Sequence, residues 1–145
     1  MKRRLAREYA VQSLYQMEMN ETPAEQAVYT VIHEGRDSDE PAPVHEPEDV
    51  DFVLSLVKGT SAHIREIDRK LTGYLKGWQL DRLSRVDRQI LRLAVYELMY
   101  TEGTPQKVIL NEAIELAKHF GTEESGKFVN GVLGKLVQDL GKQNS

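Results

Sequence analysis

The spacing of the apolar residues is the feature that most constrains the fold of this chain. In six separate segments, apolar residues recur three and four positions apart. That spacing is the period of an amphipathic helix, and no segment shows the strict alternation of a half-buried strand. The sequence therefore predicts an all-α protein.

The predicted helices cover residues 2–19, 22–33, 48–75, 84–100, 104–120 and 125–140. Thr22 with Glu25, and Ser84 with Asp87, have the spacing of capping pairs at helix starts. Gly59 is expected to bend the third helix, because glycine is a poor helix former. The helix at 84–100 has apolar residues on more than one face, which predicts a central position in the bundle.

The charge of the chain is unevenly distributed. Residues 34–51 hold eight acidic side chains and only one basic side chain, Arg36, which makes −7. The whole chain carries −4, so the remainder carries +3 and can offer a basic surface to nucleic acid. Within the acidic stretch, residues at about 35–47 include three prolines and few apolar groups, and we predict a mobile acidic loop there.

Several function classes are disfavoured by composition. The chain has no cysteine, its four histidines are scattered, and it lacks a glycine-rich phosphate loop. We therefore expect no enzymatic activity, no metal and no cofactor. No apolar run approaches the ~18 residues of a membrane span, so a cytoplasmic location is expected.

The first helix carries the strongest candidate binding feature. Lys2, Arg3, Arg4 and Arg7 make its start basic. At about 100° per residue, Arg4 and Arg7 share a flank with Tyr15 that need not be buried. Guanidinium groups pair with phosphates and aromatic rings stack on bases, which favours single-stranded RNA as a ligand. The alternative is an ordinary solvated helix start with a partly buried tyrosine.

The motifs of the C-terminal half resemble those of a known family. They read NEAIELAK at 111–118, FG at 120–121 and KFVNGVL at 127–133. Motifs in two other helices match the same family. The first helix contains RE at 7–8, AVQ at 10–12 and LY at 14–15, and the helix at 84–100 contains VD at 86–87, ILR at 90–92 and YEL at 96–98. Together these motifs are similar to those of the NusB family of bacterial transcription antitermination factors. The resemblance spans almost the whole chain, so no added catalytic domain is expected.

The resemblance implies both a fold and a function. It implies a compact bundle of about six to seven helices in two packed subdomains, at about 1–76 and 77–145. It implies that the protein pairs with NusE, a ribosomal protein, and that the pair binds boxA RNA. That complex would join RNA polymerase and suppress termination, notably in ribosomal RNA operons.

Position by position, the resemblance also implies site residues. The expected RNA-binding residues are Arg3, Arg4, Arg7, Tyr15, Lys127 and Phe128. Asp87 is expected to face NusE. A protein-only interaction module, for example a homodimer with the basic helix in its interface, stays open as the alternative function.

Four further residues of the C-terminal half have structural interpretations. Asn111 and Asn130 lie among apolar helix positions and are expected to bridge helix ends by hydrogen bonds. Gly131 and Gly134 are expected to permit close packing of helices rather than to bind a ligand.

Overall fold

The computed structural model describes residues 1–33 and 45–143, and those residues form seven α-helices. The helices are α1 (Arg3–Asn20), α2 (Ala24–His33), α3 (Pro47–Ala62), α4 (Ile64–Thr72), α5 (Arg85–Tyr100), α6 (Gln106–Phe120) and α7 (Glu123–Gln143). A 3₁₀ turn at Leu80–Arg82 precedes α5. The predicted all-α class is confirmed. Most of the predicted acidic loop falls outside the described residues.

The first of two compact units contains residues 1–62. Helix α1 packs on both α2 and α3, and α2 also packs on α3. The core of this unit consists of small and branched apolar side chains, with Ala10, Ala27, Val53 and Val57 fully buried. Lys58 of α3 forms an ion pair with Glu25 of α2.

The second unit contains residues 63–145. Its central helix is α5, which packs on α4, α6 and α7, as its several apolar faces predicted. Arg92 of α5 forms a bidentate ion pair with Asp68 of α4, with both Nε–Oδ1 and Nη2–Oδ2 at 2.8 Å. Pairing of that geometry fixes α4 against α5 as well as contributing energy.

The long third helix of the sequence prediction is two helices in the structure. The break falls at His63, whose ψ of 17° is not helical, and not at Gly59, which lies inside α3. Helix α4 buries Ile67 and Leu71 and packs on α5. The two units consequently divide after Ala62, earlier in the chain than the predicted boundary at about residue 76.

Of the two predicted helix caps, one is confirmed and one is wrong. Ser84 caps α5, since its Oγ accepts a hydrogen bond from the Asp87 backbone N–H at 3.1 Å. The predicted cap at Thr22 is wrong, because the buried Thr22 hydroxyl has no partner among the described residues.

The glycines of α7 differ in how closely other atoms approach them. A Cβ added to Gly131 would meet nothing within 4 Å, and one added to Gly134 would make only an ordinary van der Waals contact. The close approach of α6 and α7 occurs at Gly126, where a Cβ would lie 2.9 Å from Lys118 Cγ.

None of the described helices combines the length and the apolar composition that crossing a membrane requires.

Candidate nucleic-acid interface

The basic start of α1 is exposed, but its arginines differ in their surroundings. Arg3 and Arg4 are both exposed. The Arg3 guanidinium lies over the ring of Phe52 from α3, with Cζ 3.6 Å from the ring centroid. The first turn of α1 contains no acidic residue, and no side chain caps it. Its positive backbone dipole end and its arginines therefore reinforce one another as a site for anions.

Arg7 does not lie on an open flank, and that expectation is wrong. Its exposed fraction is 5%, and it has a partner within the chain. Val11, on the same side of the wheel, is buried as well. The reason is that α1 packs on two helices, so its buried arc is wider than the apolar stripe of its sequence suggests.

The exposed stripe of α1 contains Arg4 and Tyr15. Tyr15 is 37% exposed, which leaves part of its ring open to solvent. Gln12 and Met19 are exposed on the same side. The first unit therefore presents a cation at the start of α1 and an aromatic ring about three turns later.

Lys127 and Phe128 lie together at a groove in the second unit. Phe128 is half-buried, whereas Lys127 is exposed and forms a weak surface ion pair with Glu124 at 3.4 Å. The groove has a volume of about 200 Å³. We call it the Phe128 groove; its lining residues are Tyr74, Leu75, Lys76, Trp78, Lys127, Phe128, Gly131 and Val132.

Three residues of the Phe128 groove were missed by the sequence analysis. Tyr74, Lys76 and Trp78 follow α4 in the structure, whereas the sequence predicted Tyr74 near the end of the third helix and gave none of the three a binding role. Trp78 is 62% exposed. A tryptophan beside a glycine in a segment between helices is the one sequence signal for this surface, because binding residues are often carried by loops.

A tight turn holds Trp78 in place. Lys76 and Gly77 both have positive φ, 49° and 89°, and the Trp78 N–H donates to the Leu75 carbonyl at 3.0 Å. Glycine adopts such a φ without steric cost. Further along, the Arg88 guanidinium donates to the Leu80 carbonyl at 3.2 Å and so ties the connection to α5.

Asp87 has a structural role that its sequence position only partly indicated. It is half-buried, and hydrogen bonds join its carboxyl group to the hydroxyls of Ser84 and of Ser125, in the first turn of α7. Burial raises the pKa of Asp87, and these two hydrogen bonds oppose part of that rise. A partner that contacts Asp87 would therefore meet a side chain that already stabilises two helix starts.

The asparagines do not have the predicted structural role. Asn111 and Asn130 are both exposed, so neither is a buried amide that must be satisfied inside the bundle. Among the described residues, no group of three or more histidine or acidic side chains is placed to hold a metal ion.

Lysines beside aromatic rings suit phosphates and bases, and the Phe128 groove displays that combination. A helical protein with these surfaces falls in the class of small all-α proteins that act by binding.

Comparison with known proteins identifies the family. Residues 4–138 match the model of the NusB family. A transcription antitermination protein NusB from Halalkalibacterium halodurans is 46% identical over 138 residues, covering 95% of each chain. The structure of T. maritima NusB superposes with a TM-score of 0.81 at 35% identity, covering 95% of this chain and 92% of that one. A crystal structure of the antitermination factors NusB and NusE in complex with double-stranded RNA gives a TM-score of 0.80 at 27% identity, covering 96% and 99%. The chain belongs to the NusB family of transcription antitermination proteins, which are not enzymes.

Proposed function

We propose that this antitermination protein binds boxA RNA as a single strand together with the ribosomal protein NusE. The complex then joins RNA polymerase, in the cytoplasm, and suppresses termination in ribosomal RNA operons. The observation that carries the proposal is the Phe128 groove, where Lys127 and Phe128, the proposed RNA contacts of the second unit, lie beside three further residues, Tyr74, Lys76 and Trp78. A groove with two lysines and three aromatic rings suits unpaired bases and their phosphates.

In the first unit, the proposal assigns RNA contacts to Arg4 and Tyr15, which share the exposed stripe of α1. Arg3 adds charge at the edge of that stripe while its guanidinium stays on Phe52. Arg7 is too buried to meet RNA in this conformation, so its role in the proposal is to position α1.

NusE is the proposed protein partner, and Asp87 is its proposed contact. Support comes from the related complex in which NusB, NusE and RNA occur together. Thermodynamic linkage relates the two binding events quantitatively. The factor by which NusE raises the affinity for RNA must equal the factor by which RNA raises the affinity for NusE.

The deciding experiment measures the affinity for fluorescently labelled boxA RNA with and without NusE, at several salt concentrations. Single-stranded boxA RNA and its duplex are compared, because the related complex holds double-stranded RNA. The variants are Arg4→Gln, Tyr15→Leu, Lys127→Gln and Phe128→Leu. Each lysine or arginine that neutralises a phosphate contributes about 0.7 to the slope of log affinity against log salt for a single strand.

The matched control is Lys107→Gln, which removes an exposed lysine of α6 that does not line the Phe128 groove. The proposal is contradicted if the four variants bind RNA as the control does. Sedimentation of the same preparations tests the homodimer alternative, which requires a concentration-dependent dimer that RNA dissociates.

A further inference from the structure

A second and larger cavity lies in the second unit, next to the Phe128 groove. Its volume is about 540 Å³, within the range of about 300–1,000 Å³ that is usual for small-molecule sites. The cavity is lined by residues of α4, of the connection after it, of the C-terminal end of α5 and of the C-terminal half of α7. We call it the α4 cavity.

The charge of the α4 cavity favours an anion. Four of its lining residues are cationic, namely Arg69, Lys70, Lys76 and Lys135, and two are acidic. Both acids are engaged: Glu66 pairs with Arg69 at 3.1 Å, and Asp139 accepts the Tyr74 hydroxyl at 2.7 Å.

In the described parts of the chain, no ion pair involves Lys70, Lys76 or Lys135. These three ammonium groups are therefore available to phosphates.

An aromatic ring at the edge of the α4 cavity is held in a fixed orientation. Tyr100 is 38% exposed, and it stacks on His63 with ring centroids 4.0 Å apart and an angle of 12° between the planes. The Tyr96 ring also stacks with this pair, with its centroid 5.9 Å from that of Tyr100 and 6.2 Å from that of His63. A ring supported on one side loses little conformational entropy when a base stacks on its remaining surface.

The α4 cavity and the Phe128 groove share two lining residues, Tyr74 and Lys76. A strand that leaves the groove past these residues enters the cavity directly. Because both sites combine lysines with aromatic rings, one polymer of alternating phosphates and bases satisfies both of them.

We propose that the α4 cavity binds a nucleotide of the RNA that flanks the boxA segment held in the Phe128 groove. Lys70 and Lys135 contact its phosphates, and its base stacks on Tyr100. The inference rests on the proposed function and extends it, since it adds a second RNA subsite within one unit.

The test compares minimal boxA RNA with the same RNA extended by about four uridines at its 5′ or its 3′ end. One of the two extensions is expected to raise the affinity of the wild-type chain about fivefold or more. Tyr100→Leu should abolish that gain, and Tyr100→Phe should keep it. The Lys70→Gln/Lys135→Gln double variant should lower the salt slope by about 1.4 for the extended RNA only.

The control is again Lys107→Gln, and circular dichroism verifies that each variant is folded. Binding of minimal RNA without any gain from either extension overturns the inference alone. The inference also fails if the lysine variants weaken NusE binding while the gain from the extension persists. If the wild-type chain binds neither RNA, the proposed function fails and the inference fails with it.

Discussion

At the scale of single residues, the arginines of α1 have separate physical roles despite their proximity in sequence. Arg3 lies on an aromatic ring, Arg4 lies on the exposed stripe and Arg7 is buried. The sequence placed all three in one functional group because a helical wheel gives angles but not the width of the surface that other helices cover.

The difference between Arg3 and Arg4 predicts that their substitution affects different properties, namely stability for Arg3 and RNA binding for Arg4. Arg3→Gln should lower the free energy of unfolding by about 0.5–1 kcal/mol, because the cation–π contact with Phe52 is lost. Arg4→Gln should instead weaken RNA binding and lower the salt slope by about 0.7. Urea denaturation and RNA titration of both variants measure these effects. Equal RNA losses in the two variants would argue against the separation, and Phe52→Leu serves as the control for stability.

Asp87 predicts a pH dependence of stability. Its pKa is raised in the folded chain, so folding favours the protonated form. The stabilisation is fully present below the ordinary pKa of an aspartate and is lost as the pH rises through the folded pKa. Relative to Asp87→Asn, the wild-type chain should therefore lose stability as the pH rises from below the ordinary aspartate pKa of about 3.9 towards neutrality. Urea denaturation across that range measures the difference, and a constant difference would contradict the prediction.

At the scale of elements, most helix ends could be predicted from sequence because local chemistry determines them. Ser84 with Asp87 marks the start of α5, and Gly121 follows the last residue of α6. The break at His63 could not be predicted, since histidine is not a helix breaker and the apolar period continues across it. Tertiary packing of α4 on α5, not local preference, determines where that helix begins.

Two substitutions at Gly131 of α7 should distinguish effects on stability from effects on RNA binding. A Cβ there meets nothing within 4 Å, so Gly131→Ala should raise the free energy of unfolding by up to about 1 kcal/mol. Gly131 also lines the Phe128 groove, so the larger side chain of Gly131→Leu should fill part of the groove and weaken RNA binding. Thermal unfolding and RNA titration of both variants test this. Unchanged RNA affinity in a folded Gly131→Leu variant would exclude the groove as the RNA site.

At the scale of the whole molecule, the sequence was sufficient for the all-α class and the family but not for the composition of the binding surfaces. Lys127 and Phe128 could be predicted because they belong to one contiguous sequence motif at 127–133. Tyr74, Lys76 and Trp78 join them only after folding, because about fifty residues separate the two parts of the groove along the chain.

If both units contact one RNA, the losses from Arg4→Gln and Lys127→Gln should multiply, since independent contacts contribute additive free energies. The salt slope of the double variant should fall by about 1.4. Stoichiometric titration should give one RNA per chain. Two RNA molecules per chain, each sensitive to only one of the substitutions, would show that the units bind separately.

The turn at Lys76 and Gly77 presents the only tryptophan of the chain at the rim of the Phe128 groove. Its indole is therefore an intrinsic fluorophore at the rim of this groove. A ligand that stacks there should quench and shift the emission. Occupancy of the second unit can thus be followed in the unlabelled protein, in real time, while other components of the assembly are added.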